Sequence, residues 1–353
     1  MVKPRSLNYA SSGFPLLLFV IPQSRHDCPL DNLPRAFHKP FMPPAAAPRP
    51  PRFYEFAAGT FYRAAASGLL PATWFLGDRT RPVALTPRPT PLTVEIVSHC
   101  WNYSHLLAYQ LSSLVHFPPT RLNVRMTVCW CTEDRGTAAL LDFFAARTVP
   151  SVSWNWIPLP RGELLRRAIG RNRAALATPA DWIWFTDCDL LFHAGCLDTL
   201  ADRLATCAAP LVFPAEERTT ALLRPDDAVL RAAAERPALV AIDAAQFRVA
   251  RPRKATGPLQ ITHGDVARAL GYCASLPLYQ NPTDRWRKTY EDRAFRWLVG
   301  SQGVPLDIPS VYRIKHLEKG RYHGAGLLTS LRRRNRARKD ARPPADTSPP
   351  ASA

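Results

Sequence analysis

The sequence lacks a long apolar run near its start, where a membrane anchor or a secretion signal is commonly found. The one apolar run there, Phe14–Ile21, is interrupted by Pro15 and is shorter than the roughly 20 residues that span a bilayer. Lys3 and Arg5 precede it, as in a signal peptide, but no small-residue cleavage site follows. We therefore expect neither a membrane-spanning segment nor a cleaved signal in this region.

The eight cysteines lack the spacing of a zinc module, and Cys129-Trp-Cys131 is not a Cys-x-x-Cys pair. Most of them lie in apolar, strand-like runs, where a free thiol behaves as a small hydrophobic group. Because disulfides are rare in the cytosol, this usage is typical of a reducing compartment. The sequence therefore predicts a cytoplasmic protein.

Acidic residues are scarce, with 28 Asp and Glu against 46 Lys and Arg, and the net charge is +18. About two-thirds of this excess lies at the ends: residues 1–90 carry 11 basic and 4 acidic residues, and residues 331–353 carry 7 and 2. Basic ends suit an anionic membrane surface, or simple solvation, as well as RNA. The tail has no aromatic residue after Tyr322 that could stack on bases. We expect no specific nucleic acid partner, and the charge allows peripheral contact with the inner face of an anionic membrane.

Proline divides the chain into three regions. Fifteen of the 36 prolines precede residue 91, and such a density prevents continuous helix or sheet. We interpret 1–90 as a largely irregular basic arm with one short helix near Tyr54–Ser67. Residues 331–353 form a basic, Pro/Ala/Ser-containing tail that we expect to be disordered, which leaves 91–330 as the globular domain.

Strands and helices alternate in the central region. Four apolar runs predict strands, at 92–97, 124–130, 152–157 and 181–185. Four segments with helical periodicity follow them, at Tyr103–His116, Thr137–Ala146, Glu163–Ala177 and Leu197–Thr206. This alternation predicts an α/β fold with a mostly parallel central sheet flanked by helices. Ligands of such folds bind at the carboxyl ends of the strands.

Two carboxylates follow the fourth predicted strand directly, in Thr186-Asp187-Cys188-Asp189. Residues two apart in an extended chain point to the same side, so we expect Asp187 and Asp189 to project together. Such a pair is costly unless a cation lies between the charges, and hard oxygen ligands suit Mg²⁺ or Mn²⁺. The alternative is a surface turn that happens to contain two Asp residues.

Polar residues elsewhere could complete a site around this pair. Arg171 and Asn172 could bind a nucleotide or diphosphate, because Arg offers a planar fork of donors; a solvated basic face is the alternative. Glu291 and Asp292 open an apparent helix, where they could either cap it or accept a proton. His316 precedes a Gly-containing loop and could bind a metal, although an ordinary structural histidine would look the same.

Together and in this order, these elements resemble the family 2 glycosyltransferases and their GT-A fold for nucleotide-diphospho-sugars, over about residues 92–325. Val94–Ser98 and the loop through Asn102 are similar to the family's first strand and nucleoside-binding turn. Glu133 and Asp134 stand where the family has an acidic residue near the base or ribose. Asp187-Cys188-Asp189 matches its Asp-x-Asp motif. Arg171-Asn172 resembles its Arg-Asn element, with Asp187 also on the donor side.

Gly257–Tyr272 and the Glu291-Asp292 helix resemble galactosyltransferase-like and chondroitin-polymerase-like members. The resemblance implies Asp292 as catalytic base, Glu291 as acceptor-positioning residue, and His316 as a third metal ligand beside Asp187 and Asp189. It further implies Mn²⁺ or Mg²⁺ as cofactor, a UDP-sugar as donor, a glycan or related glycoconjugate as acceptor, and inversion at the anomeric carbon. The sequence departs from the family at Cys129–Asp134 and lacks the Gly-Gly-Phe-Asp string of the acceptor segment.

Three other functions fit parts of the sequence. A domain that binds a nucleotide sugar without catalysis would keep the same motifs. A nucleic-acid-binding protein would use the basic ends. A nucleotidyltransferase also uses paired Asp and a metal, but it would be expected to carry a Gly-rich phosphate loop, and His99–Tyr103 is not one.

Overall fold

A computed structural model of the chain describes residues 52–77, 83–86, 90–232, 234–284, 290–317 and 334. All of them belong to one compact unit, Arg49–Ala353. The remainder of the expected arm and nearly all of the expected tail lie outside the described residues. In the described part, no helix has the length and apolar character needed to cross a membrane.

The central sheet has seven strands in the order β10-β6-β9-β4-β1-β2-β3. Their bounds are β1 Leu92–His99, β2 Leu122–Trp130, β3 Val152–Pro158, β4 Trp182–Phe185, β6 Leu211–Pro214, β9 Gln260–His263 and β10 Val304–Leu306. All neighbours pair in parallel except β9, which is antiparallel to both β4 and β6. The predicted α/β class and mostly parallel sheet are therefore confirmed.

A second sheet of four short strands has the order β5-β11-β7-β8. Its strands are β5 Leu190–Phe192, β7 Glu217–Thr219, β8 Arg248–Ala250 and β11 Val311–Arg313. β4 of the central sheet ends at Phe185, and β5 of the second sheet begins at Leu190. Thr186–Asp189 therefore form the connection between the two sheets. The candidate carboxylates therefore lie where the two sheets meet.

The helices flank these sheets. They are α1 Arg52–Ala64, α2 Thr73–Leu76, α3 Ser104–His116, α4 Arg135–Ala145, α5 Arg161–Leu164, α6 Arg167–Ala177, α7 Cys196–Ala205, α8 Ala228–Arg231, α9 Gly264–Leu270, α10 Pro277–Gln280 and α11 Glu291–Val299. A π-helical turn, Ala65–Leu69, continues α1. The helix expected near Tyr54–Ser67 is thus present, as are those beginning near residues 103, 137 and 197.

The helix expected over Glu163–Ala177 is broken into α5 and α6. Arg166 leaves helical geometry, with φ −102° and ψ 80°, and its buried side chain donates to the Asn281 carbonyl over 3.0 Å. Periodicity could not show this break, because it depends on a carbonyl 115 residues away. Because of this break, Arg167 is the first residue of a separate helix, α6.

Every residue of β4 is buried. Trp182 and Trp184 are among the largest fully buried side chains, and each contributes on the order of 2–3 kcal/mol through burial. The indole of Trp184 donates to the Pro258 carbonyl over 3.0 Å, which offsets the cost of burying its N–H. β4 is therefore a rigid support for the turn that follows it.

The N-terminal helices pack on α11. The indole of Trp297 donates to the Leu70 carbonyl over 2.5 Å, and Tyr62 and Phe75 lie with ring centroids 6.3 and 6.2 Å from the Trp297 ring. Tyr62 also lies 5.8 Å from the ring of Tyr279. The described part of the expected arm is therefore packed against the same helix that carries Glu291 and Asp292.

Candidate active site

Asp187 and Asp189 lie in a tight turn at the carboxyl end of β4. The amide of Leu190 donates to the Asp187 carbonyl over 3.2 Å, so the chain is not extended here as we expected. Asp187 is bound by two arginines of α6, and Asp189 lies beside His316. The expected extended backbone is therefore replaced by a turn, and the shared role of the two carboxylates stays a prediction.

Arg167 bridges two of the predicted motifs. Its Nη1 donates to Asp187 Oδ1 over 2.7 Å and its Nη2 donates to Glu291 Oε1 over 2.9 Å. The guanidinium therefore joins the turn after β4 to the first residue of α11. Sequence reasoning missed Arg167, and the only signal for it was its position one helical turn before Arg171.

Arg171 is fully buried behind the same turn. Its Nη2 donates to the Thr186 carbonyl over 3.1 Å and to Asp187 Oδ1 over 3.2 Å, and its Nη1 donates to the Tyr272 hydroxyl over 2.9 Å. In this conformation Arg171 is screened from solvent, so it would act on a ligand through Asp187. Arg167, with 27% of its side chain exposed, is the arginine that solvent reaches.

Both arginines remain charged, although Arg171 is fully buried and Arg167 is only partly exposed. Desolvation alone would lower the pKa of Arg167, but the carboxylates of Asp187 and Glu291 raise it above its usual value. Desolvation likewise acts to lower the pKa of Arg171, and the net shift is upward because Tyr272 and the same carboxylates favour the charged form. Asp187 is thus an anion between two permanent cations.

Asn172 fixes the loop after α9. Its side-chain oxygen accepts from the Tyr272 amide over 2.9 Å, and its Nδ2 donates to Gln280 Oε1 over 3.2 Å. The Tyr272 hydroxyl, already bonded to Arg171, donates to Gln260 Oε1 over 2.7 Å. Asn172 therefore positions Tyr272, and the structure supplies this second explanation beside the predicted donor contact.

Asp189 and His316 are brought together although 127 residues separate them. His316 Nε2 lies 3.9 Å from Asp189 Oδ2, and both side chains are almost fully buried. The ring of Tyr103 contacts His316 edge-on, with centroids 5.1 Å apart, and the Ile314 amide donates to the Asp189 carbonyl over 2.8 Å. His316 thus lies at the turn, as the predicted ligand set requires.

The chemistry of these donors fits a hard divalent cation. Carboxylate oxygens with one imidazole nitrogen suit Mn²⁺, and carboxylates alone suit Mg²⁺. In the described ranges, no three His, Cys, Asp or Glu side chains already converge as a metal cluster. At Asp187, two arginines already bind one carboxylate oxygen, Oδ1.

Glu291 and Asp292 differ in environment although they are adjacent. Glu291 is buried and bound to Arg167, whereas the side chain of Asp292 is 29% exposed and lies 3.2 Å from Arg296 Nη1. The Asp292 carbonyl also accepts from Gln260 Nε2 over 3.0 Å. Of the pair, Asp292 is the carboxylate that a molecule entering from solvent can reach.

The end of β1 contains the residues expected near a nucleoside. Ser98 is buried in register with Val128. Asn102 has a positive φ of 49°, which Asn tolerates better than most residues, and its amide donates to Asp134 Oδ2. Asp134 also caps α4, since it accepts from the Thr137 amide over 3.1 Å and from its hydroxyl over 2.7 Å. Helix capping therefore competes with donor binding as the role of Asp134.

Glu133 lies on an exposed rim beside two residues that the sequence did not single out. Its carboxylate is 3.5 Å from Arg161 Nη1, and the Arg161 guanidinium lies 5.9 Å from the centre of the Trp101 ring. An indole with a neighbouring guanidinium offers a stacking surface for a planar ring. In the sequence, Trp101 within the His99–Tyr103 segment was the residue that could have indicated this stacking surface.

His99 lies under α6 at the end of β1 and is buried. Burial lowers the pKa of His99 well below its usual range, and the charges of Arg171 and Arg167 lower it further. The imidazole is therefore neutral at pH 7. Gly170 permits this packing, because a Cβ there would lie 2.4 Å from His99 Nε2 and 2.8 Å from Cys129 Sγ.

The seven cysteines in the described residues, from Cys100 to Cys273, are free thiols. Cys188, between the two aspartates, and Cys100 are both buried. These thiols occupy core positions, as their apolar sequence context predicted.

No protein-family model and no curated protein matches the chain. Several solved structures are similar to the chain. A mannosyltransferase from Pyrobaculum calidifontis in complex with GDP-Man and Mn²⁺ is 21% identical, with a TM-score of 0.39, over 82% of this chain and 74% of that one. TarS of S. aureus in complex with UDP is 10% identical, with a TM-score of 0.41, over 63% of this chain and 60% of that one.

A second TarS structure is 11% identical, with a TM-score of 0.35, over 64% of this chain and 58% of that one. The chain thus spans about 60% of the TarS structures. At these levels of similarity, the assignment of a function depends on the residues of the site.

Proposed function

We propose that the protein is an inverting, metal-dependent glycosyltransferase that transfers a sugar from a nucleotide-diphosphate donor to a hydroxyl of a glycan or glycoconjugate. The observation that carries this proposal is the bridge from Asp187 through Arg167 to Glu291. It joins a turn suited to a charged donor with a helix whose start offers a reachable carboxylate. Acid–base chemistry and diphosphate recognition would thus be adjacent.

The nucleoside would bind at the carboxyl ends of β1 and β2, where parallel sheets of this kind bind ligands. Trp101 and Arg161 supply a flat surface for the base, and Glu133 supplies an acceptor for a donor group of the base or ribose. Ser98 and Asn102 lie at the same end of β1. Uridine remains the proposed base because of the resemblance to the family 2 enzymes.

A divalent ion, Mn²⁺ or Mg²⁺, would be held by Asp187, Asp189 and His316. When bound, such an ion offsets the negative charge that develops on a departing diphosphate. Asp189 and His316 are already within 3.9 Å of each other. Asp187 would become available to the ion once its arginine contacts were exchanged.

Arg167 would make that exchange. Its planar guanidinium binds phosphate oxygens as well as it binds a carboxylate, and it is the more exposed of the two arginines on Asp187. In the absence of donor it balances the charge of Asp187 and Glu291. With donor present, it would turn toward the diphosphate, while Arg171 stays buried and keeps the turn in place.

Asp292 would act as the base. In the proposed step, the acceptor hydroxyl oxygen forms a bond to the anomeric carbon, the bond from that carbon to the diphosphate breaks, and the hydroxyl proton passes to Asp292. A single base and a single displacement imply inversion. Glu291, held by Arg167, would position the acceptor.

A second candidate function is nucleotide-sugar binding without catalysis. It is favoured by the two arginines on Asp187, which balance the charge of this carboxylate without a metal. Thermal-shift measurements with nucleotide sugars, with and without Mn²⁺, identify the donor under either function, since a ligand of the native state raises Tm. Product formation with that donor then separates the two functions, and Asp189→Asn and Asp292→Asn should each abolish it.

The enzyme proposal would be overturned by a donor that binds but is never turned over with any glycan or glycoconjugate acceptor. It would equally be overturned by wild-type turnover in Asp189→Asn. Absence of any nucleotide-sugar binding would remove both candidate functions.

A further inference from the structure

The solvent-facing side of α1 is apolar instead of polar. A helix turns about 100° per residue, which places Phe53, Phe56, Ala57, Thr60 and Ala64 on one face, and each of them is exposed. Phe53 and Phe56 are 79% and 72% exposed. None of these five residues is charged, whereas the outer face of a surface helix is normally charged or polar.

α2 enlarges this apolar face. Trp74 is 72% exposed and Phe75 is 47% exposed, and the ring of Phe75 meets that of Phe61 with centroids 5.3 Å apart. We call Phe53, Phe56, Phe61, Trp74 and Phe75 the aromatic surface. These five are more than half of the large exposed hydrophobic side chains in the described part of the chain, and so they are concentrated in two neighbouring short helices.

The helices that carry the aromatic surface are packed against the core of the domain. The opposite face of α1 packs into the core through Tyr62, and Ala65 at the following turn is fully buried. Trp297 of α11 is hydrogen bonded to the Leu70 carbonyl between α1 and α2. The exposed rings are therefore presented by an anchored element of the domain.

Basic residues flank the aromatic surface along the chain. Residues 49–81 contain five arginines, Arg49, Arg52, Arg63, Arg79 and Arg81, against Glu55 and Asp78. Phe and Trp side chains partition into the headgroup boundary of a bilayer, and nearby Arg residues add attraction to anionic lipids. The composition combines both contributions.

We propose that the aromatic surface binds the headgroup region of an anionic bilayer and holds the protein there peripherally. This inference does not depend on the proposed transferase activity. A protein partner would also cover apolar area, but the excess of arginine over acidic residues in the sequence of residues 49–81 matches the charge of an anionic lipid surface.

Sedimentation of the full chain with vesicles tests the proposal without any donor or acceptor. The vesicles are phosphatidylcholine alone, or phosphatidylcholine with phosphatidylserine. We expect binding to the anionic vesicles to exceed binding to the neutral ones by roughly tenfold or more, and to weaken with salt. The double variant Phe53→Ser/Phe56→Ser should lose at least roughly tenfold in affinity, because it lacks two aromatic rings that would be buried in the bilayer.

Leu239→Ser is the matched control, since Leu239 is a 41% exposed hydrophobic residue outside α1 and α2; it should bind vesicles like the wild type. Circular dichroism and Tm confirm that the variants fold. Equal vesicle binding by the double variant, or no binding by the wild type, overturns the proposal. It is also overturned if the wild type ignores vesicles but forms oligomers that the double variant abolishes, because the aromatic surface would then be a protein interface.

Because no donor enters this assay, its outcome is separate from that of the transferase proposal. A protein that binds vesicles but no nucleotide sugar would retain this inference and lose the proposed function. A protein that transfers sugar but ignores vesicles would do the reverse.

Discussion

Arg167 and Asp187 form an ion pair of 2.7 Å at the turn where a divalent ion is proposed to bind. A cation of the protein and the cation of a cofactor therefore compete for one carboxylate. The exchange is favourable only when an anionic ligand accepts the displaced guanidinium. Metal and donor should consequently bind with strong positive coupling.

Arg167→Gln tests this coupling by giving two effects of opposite sign. The affinity for Mn²⁺ alone should rise by roughly tenfold, because a competing positive charge is gone, which corresponds to ~1.4 kcal/mol. The affinity for UDP in the presence of Mn²⁺ should fall by a similar factor. Isothermal titration with MnCl₂ and with UDP measures both.

Arg173→Gln is the control for that experiment, because Arg173 lies in the same helix but pairs with Glu163 over 2.6 Å. It should bind Mn²⁺ and UDP as the wild type does. If Arg167→Gln weakens both ligands equally, Arg167 merely supports the fold of the turn. If wild type binds no UDP, the proposed function itself is at fault.

Substitution of the two adjacent carboxylates of α11 assigns their roles. Asp292→Asn should lower kcat by roughly 100-fold or more, as expected for loss of a base, with UDP binding unchanged. Glu291→Gln should mainly raise the KM for the acceptor. The reverse pattern in steady-state kinetics would make Glu291 the base.

His316→Gln tests the third proposed ligand. Mn²⁺ affinity measured with UDP present should fall by roughly tenfold or more, since even residues that only orient metal ligands commonly cost that much. Titration followed by the paramagnetic resonance of free Mn²⁺ gives the affinity directly. Unchanged affinity would leave His316 with only a structural role, as the neighbour of Asp189 and Tyr103.

Gly170→Ala should destabilise the protein although alanine favours helices. The new methyl group would lie 2.4 Å from His99 Nε2, and such overpacking costs about 1–3 kcal/mol. Gly59→Ala is the matched control, since its nearest neighbour would be Leu278 at 3.8 Å; we expect it to be neutral or to stabilise by up to ~1 kcal/mol. Urea unfolding measures both free energies.

The lowered pKa of His99 predicts a loss of stability in acid. The unfolded chain binds a proton on this side chain near pH 6.5, and the folded protein does so only at a lower pH. Above about pH 6.5 both states are neutral and the residue adds no pH dependence. As pH falls below that value, the free energy of unfolding should decrease, by at most ~1.4 kcal/mol per pH unit from this group. His99→Asn should remove this slope in urea titrations; a parallel dependence would refute the assignment.

Local patterns in the sequence predicted most of the fold. The alternation of apolar runs and helical periodicity identified β1 to β4, because the apolar residues of these strands are buried in the core or, in β3, packed against it. The break between α5 and α6 escaped prediction, since a carbonyl near Asn281 stabilises it. Periodicity within a segment carries no information about such distant partners.

The candidate site was predicted in its composition and less well in its geometry. Residue type and position identified Asp187, Asp189, Glu291 and His316, and the structure gathers them into one region. The structure also shows that Arg167 joins Asp187 to Glu291. The sequence did not predict this link, because it depends on where α6 begins. Asp134 shows the opposite case, because its motif position suggested a ligand contact while its oxygens cap α4.

α11 connects the candidate active site with the aromatic surface. Its first residues are the proposed acceptor carboxylates, and Trp297, five residues after Asp292, supports the aromatic surface. At about 1.5 Å per residue, this is an axial separation of only ~8 Å. If the aromatic surface rests on lipid, the proposed acceptor carboxylates lie on the same short helix as the residue that anchors this surface, and hydroxyls carried by lipid headgroups become acceptors to test.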